Sequence, residues 1–333
     1  MKSLAWLRWI AGAGVLAFIF IRLDTDDFGT AISSVQAEAL VGAVALNVPL
    51  LLLAALRSRL VLNRLRHSVK PGLLLASVTL GFVAGSFTPG ASGELLRADA
   101  LNARAGVGLR DGLALVLFER GLSFYILILT GAATGAVLLL SPVVAATAVA
   151  VIILLALAPA FASALLARVP KVDAATGNLV QRGLFLARRL LERLGDIAND
   201  RPLVISWSLV TLAMFGIIAC QVWLLAEGLG GGLTFFEALF AMVASLVLAV
   251  ISLIPMGLGI MDGTIVGLTS RWGLSDDNAL ALAVLVRMAS TLPLILAAVI
   301  SYVYLAVQKP AAATQDGARE PRTEAPVISE EAR

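Results

Sequence analysis

Two stretches of the chain interrupt long apolar runs with proline and glycine, and each places a carboxylate just after the interruption. They are residues 87–94 and 254–263, and each is followed by an arginine inside a later apolar run, Arg120 and then Arg287. Helix breakers and charges are costly in hydrocarbon, so their joint recurrence indicates a site. The chemistry these residues offer is anion binding, because a guanidinium pairs with a phosphate through two parallel donors.

The candidate headgroup-binding residues are those of the two interruptions and the charged residues near them. They are Pro89, Gly90, Ser92, Gly93, Glu94, Arg97, Glu119 and Arg120 in the first half, and Pro255, Gly257, Gly259, Asp262 and Arg287 in the second half. Ser92 is placed to cap a helix that has Glu94 in its first turn. Free backbone N–H groups and the positive end of that helix would then lie at the tip, where an anion binds.

The same features also have a purely structural interpretation. The interruptions would then be kinks between packed helices, and the arginines would snorkel or form structural ion pairs, for instance Arg287 with Asp262. Glu119 and Arg120 are adjacent on a predicted helix and point about 100° apart, so each needs a partner other than its neighbour. The sequence leaves both interpretations open.

Composition places the chain in a membrane. Of its 333 residues, 59% are hydrophobic and 14% are charged, and the mean hydropathy is +0.95. A soluble domain carries roughly 25% charged residues, so these values indicate an integral membrane protein. The apolar runs are long enough for helices of about 20 residues rather than barrel strands of about ten. The predicted fold class is therefore an all-α polytopic membrane protein.

The composition also restricts the chemistry. A single cysteine, Cys220, and a single histidine, His67, exclude a disulfide framework and a cysteine-based metal cluster. We find no phosphate-binding loop, nucleotide fold, serine nucleophile elbow or metal-ligand cluster in the sequence. We therefore expect no catalytic residue, no metal and no cofactor, and a transporter-like protein rather than an enzyme. The net charge of +3 gives no indication of nucleic-acid binding.

The distribution of arginine and lysine predicts the topology. Full spans are predicted at 4–21, 39–56, 111–140, 142–160, 203–226 and 279–306. A basic loop with Arg57, Arg59, Arg64, Arg66 and Lys70 follows the second of them, and residues 161–202 are also basic. Both basic segments should be cytoplasmic.

That rule decides how the two interrupted stretches enter the membrane. If 73–88 crossed it, the basic segment 161–202 would lie outside. We therefore predict that 73–100 is a re-entrant hairpin entering from the cytoplasm, and that 236–270 is one entering from outside. The result is six full spans, two re-entrant hairpins related by an inverted repeat, and both termini inside.

The predicted domain organisation is a single transmembrane domain over 1–308 and a disordered cytoplasmic tail over 309–333. Within the domain, 161–202 carries apolar residues at helical spacing opposite its arginines. This pattern is typical of an amphipathic helix on the cytoplasmic membrane surface, in contact with anionic lipid headgroups.

The run 86–97, the pair Glu119-Arg120, the run 255–259 and Arg287 together resemble the lysylphosphatidylglycerol synthase transmembrane-region family of flippase-like membrane proteins. The resemblance covers about residues 5–307 and implies movement of a lipid between leaflets. In bifunctional members a soluble domain that charges phosphatidylglycerol with an amino acid follows. This chain ends soon after its last predicted span, so we expect aminoacyl transfer not to carry over. Asp262 stands where the family often has a glutamate.

The sequence and the resemblance together predict a lipid flippase of the cytoplasmic (inner) membrane. Its substrate would be an anionic phospholipid or an isoprenoid-phosphate-linked lipid, moved without an aminoacyl-transferase domain. The alternatives are a membrane subunit or enzyme in lipid glycosylation or aminoacylation, and a recruiter of a separate synthase through 161–202. The expected partners are a membrane lipid and a lipid-modifying enzyme, and homo-oligomerisation stays open.

Overall fold

A computed structural model describes residues 35–88, 93–156, 192 and 194–308. Its principal helices are α1 Ala37–Ala45, α2 Asn47–Arg64, α3 Pro71–Phe87, α4 Leu95–Ala105, α5 Leu109–Leu139, α6 Pro142–Ala156, α7 Arg201–Gly228, α8 Phe235–Ser252, α9 Ile260–Arg271 and α10 Asp276–Val307. The predicted first span, most of 161–202 and the tail 309–333 lie outside the described residues.

The all-α membrane class predicted from composition is confirmed. In the described ranges the regular structure is helical, and five helical segments are long and apolar enough to cross a membrane. One of them, Ala37–Arg64, comprises α1 and α2 together. Large apolar side chains point outward from several helices; Val143 is 76% exposed and Val307 is 74% exposed. Such a surface suits hydrocarbon rather than water.

Four consecutive segments in each half have nearly the same lengths. In the N-terminal half, the span Ala37–Arg64 has 28 residues, and α3, α4 and α5 have 17, 11 and 31. In the C-terminal half α7, α8, α9 and α10 have 28, 18, 12 and 32. Each half is therefore a span, two arms of an interrupted hairpin, and a long helix. The repeat inferred from the interruptions extends over four segments.

The two halves run in opposite directions. The span Ala37–Arg64 and its counterpart α7 pack against each other, and the contacts fall in reverse order along the two segments. These contacts are Gln36 with Gly228, Ala43 with Gln221, Arg57 with Thr211, and Arg64 with Asp200. Corresponding helices that are antiparallel imply a two-fold relation about an axis perpendicular to them. In a membrane such an axis lies in the bilayer plane, which makes the repeat inverted.

The packing between halves is reciprocal, as that two-fold relation requires. Helix α8 of the C-terminal half packs on α5, and α3 of the N-terminal half packs on α10. Glycine allows the close approach of α5 to α8, because a Cβ on Gly135 would lie 2.7 Å from the Phe240 ring. Each hairpin is therefore held between the long helix of its own half and that of the other half.

Both interrupted stretches form helical hairpins. In each, the two arms pack against each other and the second arm packs against the following long helix. Helix α3 is shorter than a membrane span, whereas the 18 residues of α8 are enough to cross by length and composition. Entry of both hairpins from opposite faces without crossing stays a prediction.

Candidate functional site

The tip of the first hairpin brings its two arms into direct contact. The Gly93 N–H donates to Thr88 Oγ1 at 2.6 Å. A Cβ on Gly93 would lie 2.2 Å from the carbonyl oxygen of Ala84, so only glycine fits there. Pro89, Gly90 and Ser92 lie outside the described residues. Glu94 directly precedes α4, and its carboxylate is turned into the protein.

Glu94 forms an ion pair with Arg120. Both the Nε and an Nη of Arg120 donate to the Glu94 carboxylate, which gives the bidentate geometry that favours guanidinium–carboxylate pairing. The two side chains differ in exposure: that of Glu94 is 4% exposed and that of Arg120 is 44% exposed. The guanidinium is therefore the accessible member of the pair.

A second, fully buried network lies beside this pair. Arg97 Nη1 donates to Glu119 Oε2 at 2.7 Å, and the other amine of Arg97 donates to Ser58 Oγ. Arg97 and Glu119 are each 2% exposed. Glu119 and Arg120 thus have separate partners, which confirms that the adjacent residues do not pair with each other.

Arg57 joins this network, although it was predicted to lie in a cytoplasmic loop. That assignment was wrong, because α2 continues to Arg64 and keeps Arg57 inside the protein at 7% exposure. Arg57 Nη2 lies 4.0 Å from Glu119 Oε2, its Nη1 donates to Ser123 Oγ at 3.0 Å, and its guanidinium covers the Trp207 ring at 4.6 Å. A carboxylate and an aromatic face compensate the charge, so the helix continues past the apolar run.

The tip of the second hairpin has an irregular backbone. Leu253 and Met256 have φ of 55° and 56°, and Gly257 and Gly259 have φ of 60° and 78°. Side chains larger than glycine rarely adopt this left-handed region, so the two non-glycine residues are strained. Pro255 starts the short 3₁₀ turn between the arms, and that turn packs against α3 of the first hairpin. The second tip therefore lies beside the first hairpin.

Asp262 and Arg287 form the ion pair of the second half. Arg287 donates to Asp262 from Nε at 2.9 Å and from Nη2 at 2.7 Å, and its Nη1 donates to the Met256 carbonyl at 3.4 Å. The Gly259 N–H donates to Asp262 Oδ2 at 2.9 Å. The Asp262 side chain is 8% exposed and that of Arg287 is 23% exposed. As in the first half, the carboxylate is the more buried group and the guanidinium is the more accessible one.

The two arginines occupy equivalent places. Arg120 is the twelfth residue of α5, which begins at Leu109, and Arg287 is the twelfth residue of α10, which begins at Asp276. At 1.5 Å per residue, each lies about 16 Å along its helix. The acids are separated from their arginines by 26 and 25 residues. Each half therefore places one bidentate carboxylate–arginine pair at corresponding depth.

The structure thus divides the charged residues selected from the sequence between two clusters, one in each half. Glu94, Arg97, Glu119 and Arg120 belong to one cluster, and Asp262 and Arg287 form a separate pair that accepts a hydrogen bond from the Gly259 N–H. Arg57 was not predicted to belong to the cluster. The available signal was the apolar stretch 60–62, which continues α2 after Arg57, but the neighbouring arginines obscured it.

The comparisons with known proteins agree with this architecture. The family model described as the lysylphosphatidylglycerol synthase transmembrane region matches residues 5–298. A search of curated proteins found no match. The match includes both hairpins and both ion pairs, so the multi-pass membrane fold and its charged hairpins lie within the family region. The chain belongs to the lysylphosphatidylglycerol synthase transmembrane-region family.

Proposed function

We propose that this protein moves an anionic lipid between membrane leaflets, with Arg120 and Arg287 binding the phosphate of its headgroup. The lipid is an anionic phospholipid or an isoprenoid-phosphate-linked lipid, which share the phosphate. One observation carries the proposal: two antiparallel halves each hold an arginine at the same depth against a carboxylate of their own hairpin. A membrane family related to lipid modification and flipping provides the context.

An inverted repeat suits movement across a bilayer. Interrupted hairpins at corresponding places in two inverted halves are typical of transporter binding sites, because one half can open to each side. Under the predicted topology, Arg120 is reached from the cytoplasm and Arg287 from outside. A headgroup can then pass from one guanidinium to the other without exposing its charge to hydrocarbon.

The ion pairs support ligand exchange because the arginine is the accessible partner in both. A phosphate approaching Arg120 or Arg287 meets the guanidinium before it meets the carboxylate. Phosphate matches the same bidentate geometry that the carboxylate uses, so it can replace the acid without a change of donor. Strained backbone at Leu253 and Met256 is consistent with a tip that changes conformation.

The proposed arrangement in the cell follows the charge distribution. We place the protein in the cytoplasmic membrane with both termini inside, and the basic segment 161–202 on the cytoplasmic surface against anionic lipids. A separate lipid-modifying enzyme would supply or consume the transported lipid. The transporting unit is residues 1–308.

Exchange of fluorescent lipids in proteoliposomes tests the function. The panel contains phosphatidylglycerol, an isoprenoid phosphate and a neutral glycolipid without phosphate. We expect the protein to exchange at least one of the phosphate lipids and to leave the neutral lipid in place. Arg120→Ala and Arg287→Ala should each abolish the exchange.

Two controls separate loss of function from loss of fold. Glu94→Gln/Arg120→Gln removes both charges of a pair and leaves no buried charge unpaired. Arg64→Ala removes an arginine paired with Asp200 at the ends of α2 and α7, away from both hairpin tips, and should exchange normally. Full exchange in folded Arg120→Ala and Arg287→Ala variants would refute the proposal.

A further inference from the structure

We propose that a headgroup phosphate binds Arg287 together with one proton, which Asp262 takes up. The inference rests on the proposed function and adds the coupled ion to it. It follows from the number of charges that the C-terminal hairpin holds at its tip, and from how deeply the carboxylate of that pair is buried.

The ion pair occupies the Nε–Nη2 side of the Arg287 guanidinium, and the Met256 carbonyl accepts from a third of its five N–H donors. Arg287 directs Nε and Nη2 to Asp262 at 2.9 Å and 2.7 Å, and Nη1 to the Met256 carbonyl. A phosphate that takes this Nε–Nη2 side in a bidentate manner, as the carboxylate does, replaces Asp262. The displaced carboxylate would keep one donor, the Gly259 N–H at 2.9 Å, in a place where the Asp262 side chain is now only 8% exposed.

The elements packed around Asp262 place no second cation at the hairpin tip within the described residues. Helices α8 and α10, the 3₁₀ turn and α9 itself surround it. The other charged residues near the hairpin are Glu237 in the first turn of α8, Arg271 in the last turn of α9, and Asp276 and Asp277 in the first turn of α10. All four lie at the base of the hairpin, whereas Asp262 lies at the tip.

Charge balance then requires the proton. Before binding, the site holds one negative carboxylate and one positive guanidinium. The phosphate breaks the two Arg287–Asp262 hydrogen bonds and forms equivalent bonds to Arg287, while a proton from solvent bonds to a carboxylate oxygen of Asp262. The bound site holds a guanidinium, a phosphate monoanion and a neutral acid. An ionised Asp262 without a partner at this depth would be strongly disfavoured.

The N-terminal site has a different balance. Its cluster contains three arginines and two glutamates, namely Arg57, Arg97, Arg120, Glu94 and Glu119. Glu94 acts electrostatically on Arg57 as well as on Arg120. When a phosphate binds Arg120, the released Glu94 still faces excess guanidinium charge and needs no proton. The two sites should therefore differ in their dependence on pH.

Binding of a short-chain phosphatidylglycerol to the purified full-length protein in detergent tests this difference between pH 6 and pH 8. Glu94→Gln/Arg120→Gln retains only the C-terminal site, and Asp262→Asn/Arg287→Gln retains only the N-terminal site. We expect the affinity of the first variant to rise about tenfold for each unit that the pH falls, as uptake of one proton requires. The second variant should bind with nearly constant affinity.

Two further measurements make the result decisive. Adding Asp262→Asn to the first variant keeps an oxygen that accepts from Gly259 but removes the titrating group, and its affinity should become independent of pH. Calorimetry in two buffers of different ionisation enthalpy should give one proton per lipid for the first variant and none for the others. A flat pH profile in the first variant, or no binding by it, overturns the inference. Failure of the wild-type protein to exchange any phosphate lipid would instead refute the proposed function.

Discussion

The N-terminal half places further charges beside its hairpin arginine, whereas the C-terminal half gives the equivalent Arg287 one charged partner, Asp262, among the described residues. Glu119 precedes Arg120 on α5, and buried Val286 precedes Arg287 on α10. Arg57 is the twenty-first residue of its span, and the twenty-first residue of α7 is Gln221, which donates to the Ala43 carbonyl at 2.8 Å. The two halves share a backbone plan but differ in the charge that they place at its centre.

This difference shows which part of the site is common and which is specific. The bidentate carboxylate–arginine pair recurs in both halves, so we regard it as the part that function requires. The additional pair Arg97–Glu119 and the guanidinium of Arg57 occur only in the N-terminal half of the described structure, where they rigidify the junction of α2, α4 and α5. We expect the N-terminal hairpin to be the more static of the two and the C-terminal hairpin to move.

Labelling of single cysteines should give the largest contrast between the halves, because it is all-or-none. After replacement of Cys220 by alanine, Ser68→Cys and Gly108→Cys flank the first hairpin, and Gly232→Cys and Ser275→Cys flank the second. We expect an impermeant maleimide to label the first two only from the cytoplasmic face and the last two only from outside. A Cβ at Gly108 or Gly232 meets no neighbour within 4 Å, so these substitutions should not disturb folding.

Opposite accessibility of the two cysteines that flank one hairpin would show that this hairpin crosses the membrane. Gly93 itself is unsuitable for such a probe, because a Cβ there would collide with the carbonyl oxygen of Ala84.

The next largest effect is on stability. Glu119→Ala should lower the free energy of unfolding by about 3–5 kcal/mol, because it leaves Arg97 and Arg57 buried without a carboxylate. The matched change in the other half, Val286→Ala, removes apolar contacts alone and should cost about 1 kcal/mol. Unfolding in mixed detergent micelles, followed by circular dichroism, measures both. Equal costs would remove the proposed distinction between the halves.

A smaller effect is expected when the arginines are replaced by lysine, which keeps the charge but loses the bidentate geometry. Arg287→Lys should slow lipid exchange about tenfold, and Arg120→Lys about threefold, because the N-terminal cluster retains two other guanidinium groups. The initial rate of leaflet exchange in proteoliposomes measures both changes. Arg271→Lys, in the last turn of α9, is the control and should leave the rate unchanged. A larger loss of rate in Arg120→Lys than in Arg287→Lys would mean that the N-terminal site, and not the C-terminal one, depends more on bidentate geometry.

The smallest effect should come from the ion pair at the ends of α2 and α7. Arg64 Nε lies 2.6 Å from Asp200 Oδ2, and the side chains are 48% and 26% exposed. Such an exposed pair contributes less than about 1 kcal/mol. Arg64→Ala should therefore change the midpoint of unfolding only slightly. A loss of stability as large as that of Glu119→Ala would mean that ion pairs between helices stabilise this fold whether they are buried or exposed.

Much of the fold was predictable because its signals are local. The apolar runs predict the long helices, and proline and glycine at 255–259 predict the break between α8 and α9. The arginine positions were equally clear, since Arg120 and Arg287 stand out in apolar surroundings. The loose match between the second motif and the first also has a structural reason: the third residue of α4 is Arg97, whereas the third residue of α9 is Asp262. The two acids reach equivalent arginines from different positions on their helices.

The sequence by itself determined the membrane class, the helical hairpins and the position of Arg120 and Arg287 within long apolar helices, because the cost of polar groups in hydrocarbon acts on each segment separately. The tertiary structure alone decided the partners: Glu94 with Arg120, Arg97 with Glu119, and Arg57 inside the protein rather than in a loop. It also showed by direct contacts that the two halves, predicted to be inverted, pack antiparallel. The partner of each charged residue depends on which helices pack together. Helix packing is fixed by contacts between residues far apart in the chain, and a local sequence pattern does not contain that information.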